Sequence, residues 1–283
     1  METVELNNGV KMPLLGFGVF QIDDEQVCEQ SVMSALLTGY RMIDTAACYG
    51  NERVVGSAVK KSGIDRNQIF LVSKVWIQDA GYEKTKISFE KTLRNLQTDY
   101  LDLYLIHMPL GDYHGSWKAM EELYRDGKIK AIGVCNFLPD RLLDLILSHD
   151  IVPMVNQIET HPFCQEKELR QVMAKYGIQH MAWAPFAEGE KDIFKNALLS
   201  EIGNKYGKSS AQVILRWLYQ NNIVAIPKSV HSKRIKENFN VDDFTLSPDD
   251  MKKIETMDMG KNLILDIQSL DEMKRLHNIR FEQ

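Results

Sequence analysis

The feature that most constrains this chain is an alternation, repeated eight times, of a short apolar run with a longer amphipathic segment. Segments such as "DDEQVCEQSVMSALLTG" and "EKTKISFEKTLRNLQ" carry apolar residues at helical spacing, and several end on Gly, as helices commonly do. Eight strand-then-helix units in 283 residues predict an α/β fold of the (β/α)8 TIM-barrel type, which typically takes about 250 residues. The predicted strands are residues 14–18, 42–44, 69–74, 101–107, 129–134, 154–158, 179–184 and 224–227.

Two smaller elements flank the eight units. "VELNNGVKMP" places Asn-Gly between two short alternating stretches, which predicts an N-terminal β-hairpin that plugs the bottom of the barrel. "SPDDMKKIETM" predicts an extra C-terminal helix after the last unit. Because we find no linker, low-complexity tract or repeat, we interpret residues 1–283 as a single domain.

Composition and charge narrow the function classes. A net charge of -5 offers nothing that would recruit nucleic acid or an anionic membrane. No apolar run approaches the roughly 20 residues of a membrane span, and the start "METVELNNG" lacks the basic and apolar regions of a secretory signal. Four scattered cysteines without a C-x-x-C pair fit reduced thiols better than disulfides. We therefore expect a soluble, cytoplasmic monomer that has no nucleic-acid or membrane partner.

Three successive predicted strands end on ionisable residues. Asp44 ends the second strand, Lys74 the third and His107 the fourth, and Tyr49 follows in the loop after Asp44. Taken singly, a strand-end Asp often caps a helix, a Lys reaches solvent, and a His is more often structural than catalytic. In a barrel, however, catalytic groups lie at the carboxyl ends of strands and in the loops that follow. The alignment of these residues therefore predicts one shared site.

This combination of side chains suits proton transfer to a carbonyl oxygen. A tyrosine hydroxyl has an ordinary pKa of about 10, and a nearby ammonium lowers it. We expect Asp44 to hold Lys74, Lys74 to lower the pKa of Tyr49, and His107 to hydrogen-bond the substrate oxygen. A hydride donor would then attack the carbon. No H-x-H, H-E-x-x-H or Cys/His cluster is present, so we expect no catalytic metal.

A basic stretch near the end of the chain suggests where such a donor binds. "IPKSVHSKRIKEN", residues 226–238, follows the last predicted strand, where barrels often bind phosphate near a helix N-terminus. A solvated helix face is the alternative, and charge alone favours it. "LGFGVF" is only a fragment of G-x-G-x-x-G, because Gln21 occupies the third position.

Three ordered stretches of the chain resemble the aldo-keto reductase family. They are "GYRMIDTAACYGNERVVG" (39–56), "AIGVCNF" (131–137) and "IPKSVHSKRIKENFNV" (226–241), and "VNQIETHP" and "NLILDIQSLDEM" fit as well. The resemblance extends from about residue 6 to the mid-270s. The short loops and the tail are similar to the bacterial-type branch that includes 2,5-diketogluconate reductases and prostaglandin F synthases.

The resemblance implies NADPH as cofactor and assigns roles to matching positions. The implied catalytic tetrad, with Tyr49 as proton donor, is Asp44, Tyr49, Lys74 and His107. Positions implied around the nicotinamide are Asn136 and Gln157 at its carboxamide, Cys135 beside Asn136, and Trp183 stacked on its ring. Positions implied at the other end of NADPH are Lys228, Ser229 and Arg234 at the 2′-phosphate and Glu237 and Asn238 at the adenine. Positions implied in the substrate pocket are Phe20, Trp76 and Met108.

Four positions depart from the family pattern. Cys135 replaces the usual Ser before Asn136, and Ala184 replaces a common Ser, so that two hydroxyls near the cofactor are lost. Met108 stands where many relatives have Trp. Ile77 stands where Asn often follows the tryptophan that corresponds to Trp76. We expect Met and Ile to make the pocket wall more apolar and adaptable.

The sequence thus predicts an NADPH-dependent carbonyl reductase that converts aldehydes or ketones to alcohols. The expected substrates are small aldehydes, diketo sugars, dicarbonyls, quinones or prostaglandin-type ketones. One alternative is a non-catalytic NADPH-binding barrel that acts as a regulatory or structural subunit. Another is an aldolase that forms a Schiff base on Lys74.

Overall fold

The computed structural model describes residues 2–281 and begins with a hairpin. Strands β1 (Thr3–Glu5) and β2 (Lys11–Pro13) pair antiparallel, with Val4 opposite Met12. Both of these apolar side chains are buried in the main core, which is the arrangement of a hairpin that packs one face on the barrel. The predicted hairpin is confirmed.

Eight parallel strands follow, and each pairs with its neighbours in chain order. The chain just before the first of these strands meets the last strand through two backbone hydrogen bonds. The Gly16 N–H donates to the Ala225 carbonyl at 2.8 Å, and the Ala225 N–H donates to the Leu14 carbonyl at 2.9 Å. The barrel is therefore closed, as predicted. The strands are β3 (Phe17–Gly18), β4 (Met42–Asp44), β5 (Phe70–Val75), β6 (Leu103–Ile106), β7 (Ile132–Cys135), β8 (Val155–Glu159), β9 (Gln179–Trp183) and β10 (Val224–Ala225).

Helices surround the barrel and occupy the connections. Several begin at polar caps, among them a capping box in which Ser209 and Gln212 bond each other's backbone. The helices are α1 (Glu25–Thr38), α2 (Glu52–Lys61), α3 (Tyr82–Leu96), α4 (Tyr113–Arg125), α5 (Pro139–Ser148), α6 (Lys167–Lys175), α7 (Ala197–Tyr206), α8 (Ser210–Gln220), α9 (Ser232–Phe239), α10 (Pro248–Glu255) and α11 (Leu270–Asn278). The predicted extra helix is α10, and α11 is a further helix that was not predicted.

The strand register decides which side chains meet at the rim. Asp44 of β4 lies opposite Val72 of β5, and Lys74 is two residues beyond Val72 in β5. Side chains two residues apart on a strand point to the same side. Lys74 therefore points the same way as Val72, beside Asp44.

Within residues 2–281, no helix is long and apolar enough to cross a membrane.

Candidate active site

The four residues of the predicted tetrad converge at the carboxyl ends of three adjacent strands. Asp44 ends β4, Lys74 lies in β5, and His107 follows β6. Tyr49 ends a short 3-10 turn, Ala47–Tyr49, just beyond β4. The Lys74 ammonium is 5.1 Å from the centre of the Tyr49 ring, and the Tyr49 and His107 rings are 5.7 Å apart. These side chains surround the floor of a cavity of about 580 Å3, which Asp44, Tyr49 and His107 line.

A buried ion pair forms this floor. Lys74 Nζ lies 2.6 Å from Asp44 Oδ1, and the two side chains are 0% and 2% exposed. Lys74 also donates to the Thr45 carbonyl at 2.8 Å, and the Gln157 amide donates to Asp44 Oδ2 at 2.9 Å. Burying two charges is costly unless they are paired and further hydrogen-bonded. Here both conditions are met, so each charge is held in one position.

The two aromatic residues on the floor are both neutral. Burial, and secondarily the Asp44 carboxylate, raises the pKa of Tyr49 well above its ordinary 10.0. Burial and the Lys74 ammonium lower the pKa of His107 well below 6.5. Our expectation that Lys74 lowers the pKa of Tyr49 is therefore wrong. The ammonium bonds Asp44 and a backbone carbonyl, and it lies over the face of the Tyr49 ring.

Cys48 is a contact that sequence reasoning missed. Its Sγ lies 3.3 Å from Nδ1 of His107, and it lines the same cavity. Burial raises the pKa of the Cys48 thiol to about 12. The protonated thiol is therefore a hydrogen-bond partner for the imidazole rather than a nucleophile. The only available signal was its position beside Tyr49, since the turn geometry that aims the side chain leaves no periodic pattern.

Amide and indole groups line the adjoining side of the cavity. Asn136, which has a left-handed backbone (φ 61°), donates from its side chain to the His107 carbonyl at 3.1 Å. Its Oδ1 accepts from the Trp183 indole at 2.8 Å. Asn136, Gln157 and Trp183 all line the cavity, whereas Cys135 does not and instead contacts Gln157 Oε1 at 3.8 Å. The structure thus brings three of the four expected nicotinamide positions to the cavity surface.

The expected phosphate positions lie at the start of α9. Lys228 and Arg234 are exposed, and in the part of the chain that the structure describes neither forms an ion pair. Ser229 is buried, and its hydroxyl accepts from the His231 N–H at 3.1 Å. Two unpaired cations beside a helix N-terminus are a suitable set of donors for a phosphate.

The two positions expected at the adenine differ in their surroundings. Asn238 is only 6% exposed. The Glu237 carboxylate lies 3.8 Å from the Lys233 ammonium, so that it already has a cationic neighbour. Neither residue lines the cavity, whereas Lys228 does.

Aromatic and apolar side chains form the substrate side. Phe20 is 47% exposed and packs 4.9 Å from the Tyr49 ring. Trp76 packs 5.0 Å from His107, and Met108 lines the cavity beside it. Ile77 does not line the cavity; it packs behind Trp76. The expected contribution of Ile77 to the pocket wall is therefore wrong.

Sequence reasoning also missed two segments that complete the cavity. One follows β9, where Ala184 (φ 46°) and Glu188 (φ 51°) take left-handed conformations. The other is the end of the chain, including Ile264, Leu265 and Leu276. The first segment has no helical or strand period that would have marked it, whereas the second includes α11, whose Leu270, Met273 and Leu276 have helical spacing. Within residues 2–281, no group of three or more His, Cys, Asp or Glu could hold a metal ion.

Comparison with known proteins decides the family. A sequence model described as the Aldo/keto reductase family matches residues 14–258. The chain belongs to this family. The resemblance noted in the sequence and the prediction of an oxidoreductase of this class are confirmed.

Known relatives match nearly the whole chain. Glyoxal reductase of Bacillus subtilis (strain 168) is 50% identical over 263 residues, which cover 93% of this chain and 95% of that protein. Methylglyoxal reductase DkgA of Escherichia coli (strain K12) is 41% identical over 263 residues, or 92% of this chain and 94% of that protein. The crystal structure of a Bombyx mori aldo-keto reductase in complex with NADP has a TM-score of 0.89 at 29% identity. The matched region covers 94% of this chain and 95% of the Bombyx mori chain.

Proposed function

We propose that this aldo/keto reductase uses NADPH to reduce the carbonyl group of small aldehydes and α-oxoaldehydes to an alcohol. The observation that carries the proposal is the buried Asp44–Lys74 pair beneath a cavity lined by Tyr49 and His107. Similarity to a glyoxal reductase and to a methylglyoxal reductase supports α-oxoaldehydes as substrates. The coarser activity, carbonyl reduction, follows from the family.

The residues present fit a nicotinamide dinucleotide. The amides of Asn136 and Gln157 and the indole of Trp183 line the cavity beside the floor and would hold the nicotinamide. Lys228 and Arg234, without ion-pair partners in the described chain, would hold the 2′-phosphate. When bound, NADPH supplies the hydride that reaches the carbonyl carbon.

The protein itself supplies position and a proton. His107 is neutral, so its ring N–H donates to the carbonyl oxygen without adding a charge. Tyr49 is protonated, and its hydroxyl gives the proton that completes the alcohol. The Asp44–Lys74 pair keeps its charges in place and electrically balanced under the ring of Tyr49.

The direct test is NADPH oxidation with a panel of glyoxal, methylglyoxal, a diketo sugar and a quinone. We expect the α-oxoaldehydes to give the highest kcat/KM. Tyr49→Phe should lose about 10²–10⁴-fold in kcat/KM yet bind NADPH within about twofold of wild type. Tyr40→Phe is the matched control, because the Tyr40 hydroxyl bonds the Ile235 carbonyl away from the cavity.

The alternatives make different predictions. NADPH binding without turnover of any compound would support a regulatory or structural barrel. A borohydride-trapped adduct on Lys74 would support an aldolase. The geometry disfavours the aldolase, because Lys74 is 0% exposed and does not line the cavity. Near wild-type activity in Tyr49→Phe would remove Tyr49 as the acid.

A further inference from the structure

One wall of the cavity comes from the end of the chain rather than from the barrel. We call residues 262–281 the C-terminal wall; Ile264, Leu265 and Leu276 of this segment line the cavity. Leu265 and Leu276 are buried in a small apolar cluster with Trp76, and that cluster is separate from the main core. The segment contributes no strand to the barrel sheet. Its position must therefore be fixed by other contacts.

A single buried carboxylate holds the wall where it begins. Glu159, the last residue of β8, is 1% exposed. Its Oε1 accepts from the backbone N–H of Leu263 at 2.7 Å and of Ile264 at 3.2 Å. Its Oε2 accepts from the N–H of Leu265 at 3.1 Å and from the Asn262 amide, 103 residues later in the chain, at 3.3 Å. Three consecutive backbone N–H groups and one side-chain amide thus converge on Glu159.

In the described chain no lysine or arginine forms an ion pair with Glu159, whose neighbouring ring is that of His161. His161 Nε2 lies 3.0 Å from Oε1, and the Phe163 N–H donates to Nδ1 of the same ring at 3.2 Å. Nδ1 thus accepts from the backbone, and Nε2 faces the carboxylate. Burial acts to raise the pKa of Glu159, but the hydrogen bonds from His161 and from the wall hold it below its ordinary value. The carboxylate and the wall stabilise each other.

Strand β8 connects this contact to the catalytic floor. Gln157 is two residues before Glu159, so both side chains point to the same side of the strand. The Gln157 amide bonds Asp44, as described above. One strand thus sets the position of the wall relative to the floor.

We propose that Glu159 is a positioning residue that selects substrates by holding the C-terminal wall in place. The inference rests on the proposed function, because the wall affects turnover only when a carbonyl compound binds over Tyr49 and His107. Phenylglyoxal carries a large apolar substituent, which we expect to contact the apolar side chains of the wall that line the cavity. Glyoxal, with its two carbons, needs only the floor. Release of the wall should therefore weaken the first substrate far more than the second.

The test compares phenylglyoxal with glyoxal in steady-state NADPH oxidation. In Glu159→Gln the charge is lost and an amide N–H faces the N–H groups of the wall. We expect kcat/KM for phenylglyoxal to fall at least about tenfold, and that for glyoxal and the Kd of NADPH to change less than about twofold. Glu159→Asp keeps the charge and should recover part of the loss. Glu166→Gln is the matched control, because its carboxylate contacts Cys164 instead of the wall.

A double-mutant cycle tests whether Glu159 acts through the wall. Leu276→Ala removes an apolar contact within the wall, so adding Glu159→Gln should lower the phenylglyoxal-to-glyoxal ratio less than it does in wild type. Asn262→Ala removes one of the four donors and should shift the ratio in the same direction by a smaller amount. If Glu159→Gln does not fold, Asn262→Ala and Glu159→Asp provide the test.

The outcomes separate this inference from the proposed function. An equal fall for both substrates, or an unchanged ratio in all three variants, would overturn the role of Glu159. Additive effects in the cycle would show that Glu159 does not act through the wall. A wild-type protein that oxidises NADPH with neither substrate would contradict the proposed function instead.

Discussion

The buried ion pair beneath the cavity predicts an asymmetry between single and double substitutions. In Lys74→Met, Asp44 keeps the Gln157 amide at 2.9 Å but loses the ammonium at 2.6 Å. A buried charge without its partner costs about 3–5 kcal/mol, whereas replacing both partners by neutral groups is often close to neutral. We expect Lys74→Met to lower the free energy of unfolding by about 3–5 kcal/mol. The double variant Asp44→Asn/Lys74→Met should lose at most about 1–2 kcal/mol.

Urea unfolding of the wild type, both single variants and the double variant measures the coupling energy. Lys61→Met is the control, because its ion pair with Glu29 has a similar length, 2.8 Å, but is largely exposed. That substitution should cost at most about 1 kcal/mol. A double variant as unstable as Lys74→Met would show that the loss comes from missing packing around the lysine chain. The electrostatic argument would then fail.

Two further predictions concern pH and cofactor choice. Because the pKa of Tyr49 is raised above 10.0 and that of His107 lowered below 6.5, kcat/KM for reduction should be flat from about pH 6 to 9. A fall with an apparent pKa of about 7–9 that disappears in Tyr49→Phe would instead show that the pKa is lowered. NADPH should exceed NADH at least about tenfold in kcat/KM, and Arg234→Ala should weaken NADPH binding about tenfold while leaving NADH nearly unchanged. Lys233→Ala removes a lysine that already has an acidic neighbour, so it should change the binding of neither cofactor. If Arg234→Ala weakens NADPH and NADH binding equally, Arg234 does not contact the phosphate.

The barrel and the position of the tetrad followed from local pattern. Helix and strand periods differ, so eight alternations defined eight units, and parallel strands bring their carboxyl ends to one rim. Asp44 ends β4, Lys74 is the second-last residue of β5 and His107 follows β6, and their convergence needed no knowledge of loops.

The C-terminal wall could not be predicted in the same way. The contact between Glu159 and residues 262–265 joins a strand end to an irregular loop about a hundred residues later. No repeat in either segment marks the pairing, because the donors are backbone N–H groups that every residue except Pro carries. Only the folded chain shows which carboxylate they meet.

The error over Tyr49 has a physical cause that bears on the reaction. A lysine lowers the pKa of a nearby phenol only if its charge is not already balanced. Here Asp44 lies 2.6 Å from the ammonium, and burial first and the Asp44 carboxylate second raise the pKa of Tyr49. Reduction requires the phenol and oxidation requires the phenolate. The raised pKa therefore keeps Tyr49 in the protonated form that reduction needs, whereas the phenolate that oxidation needs forms only at higher pH.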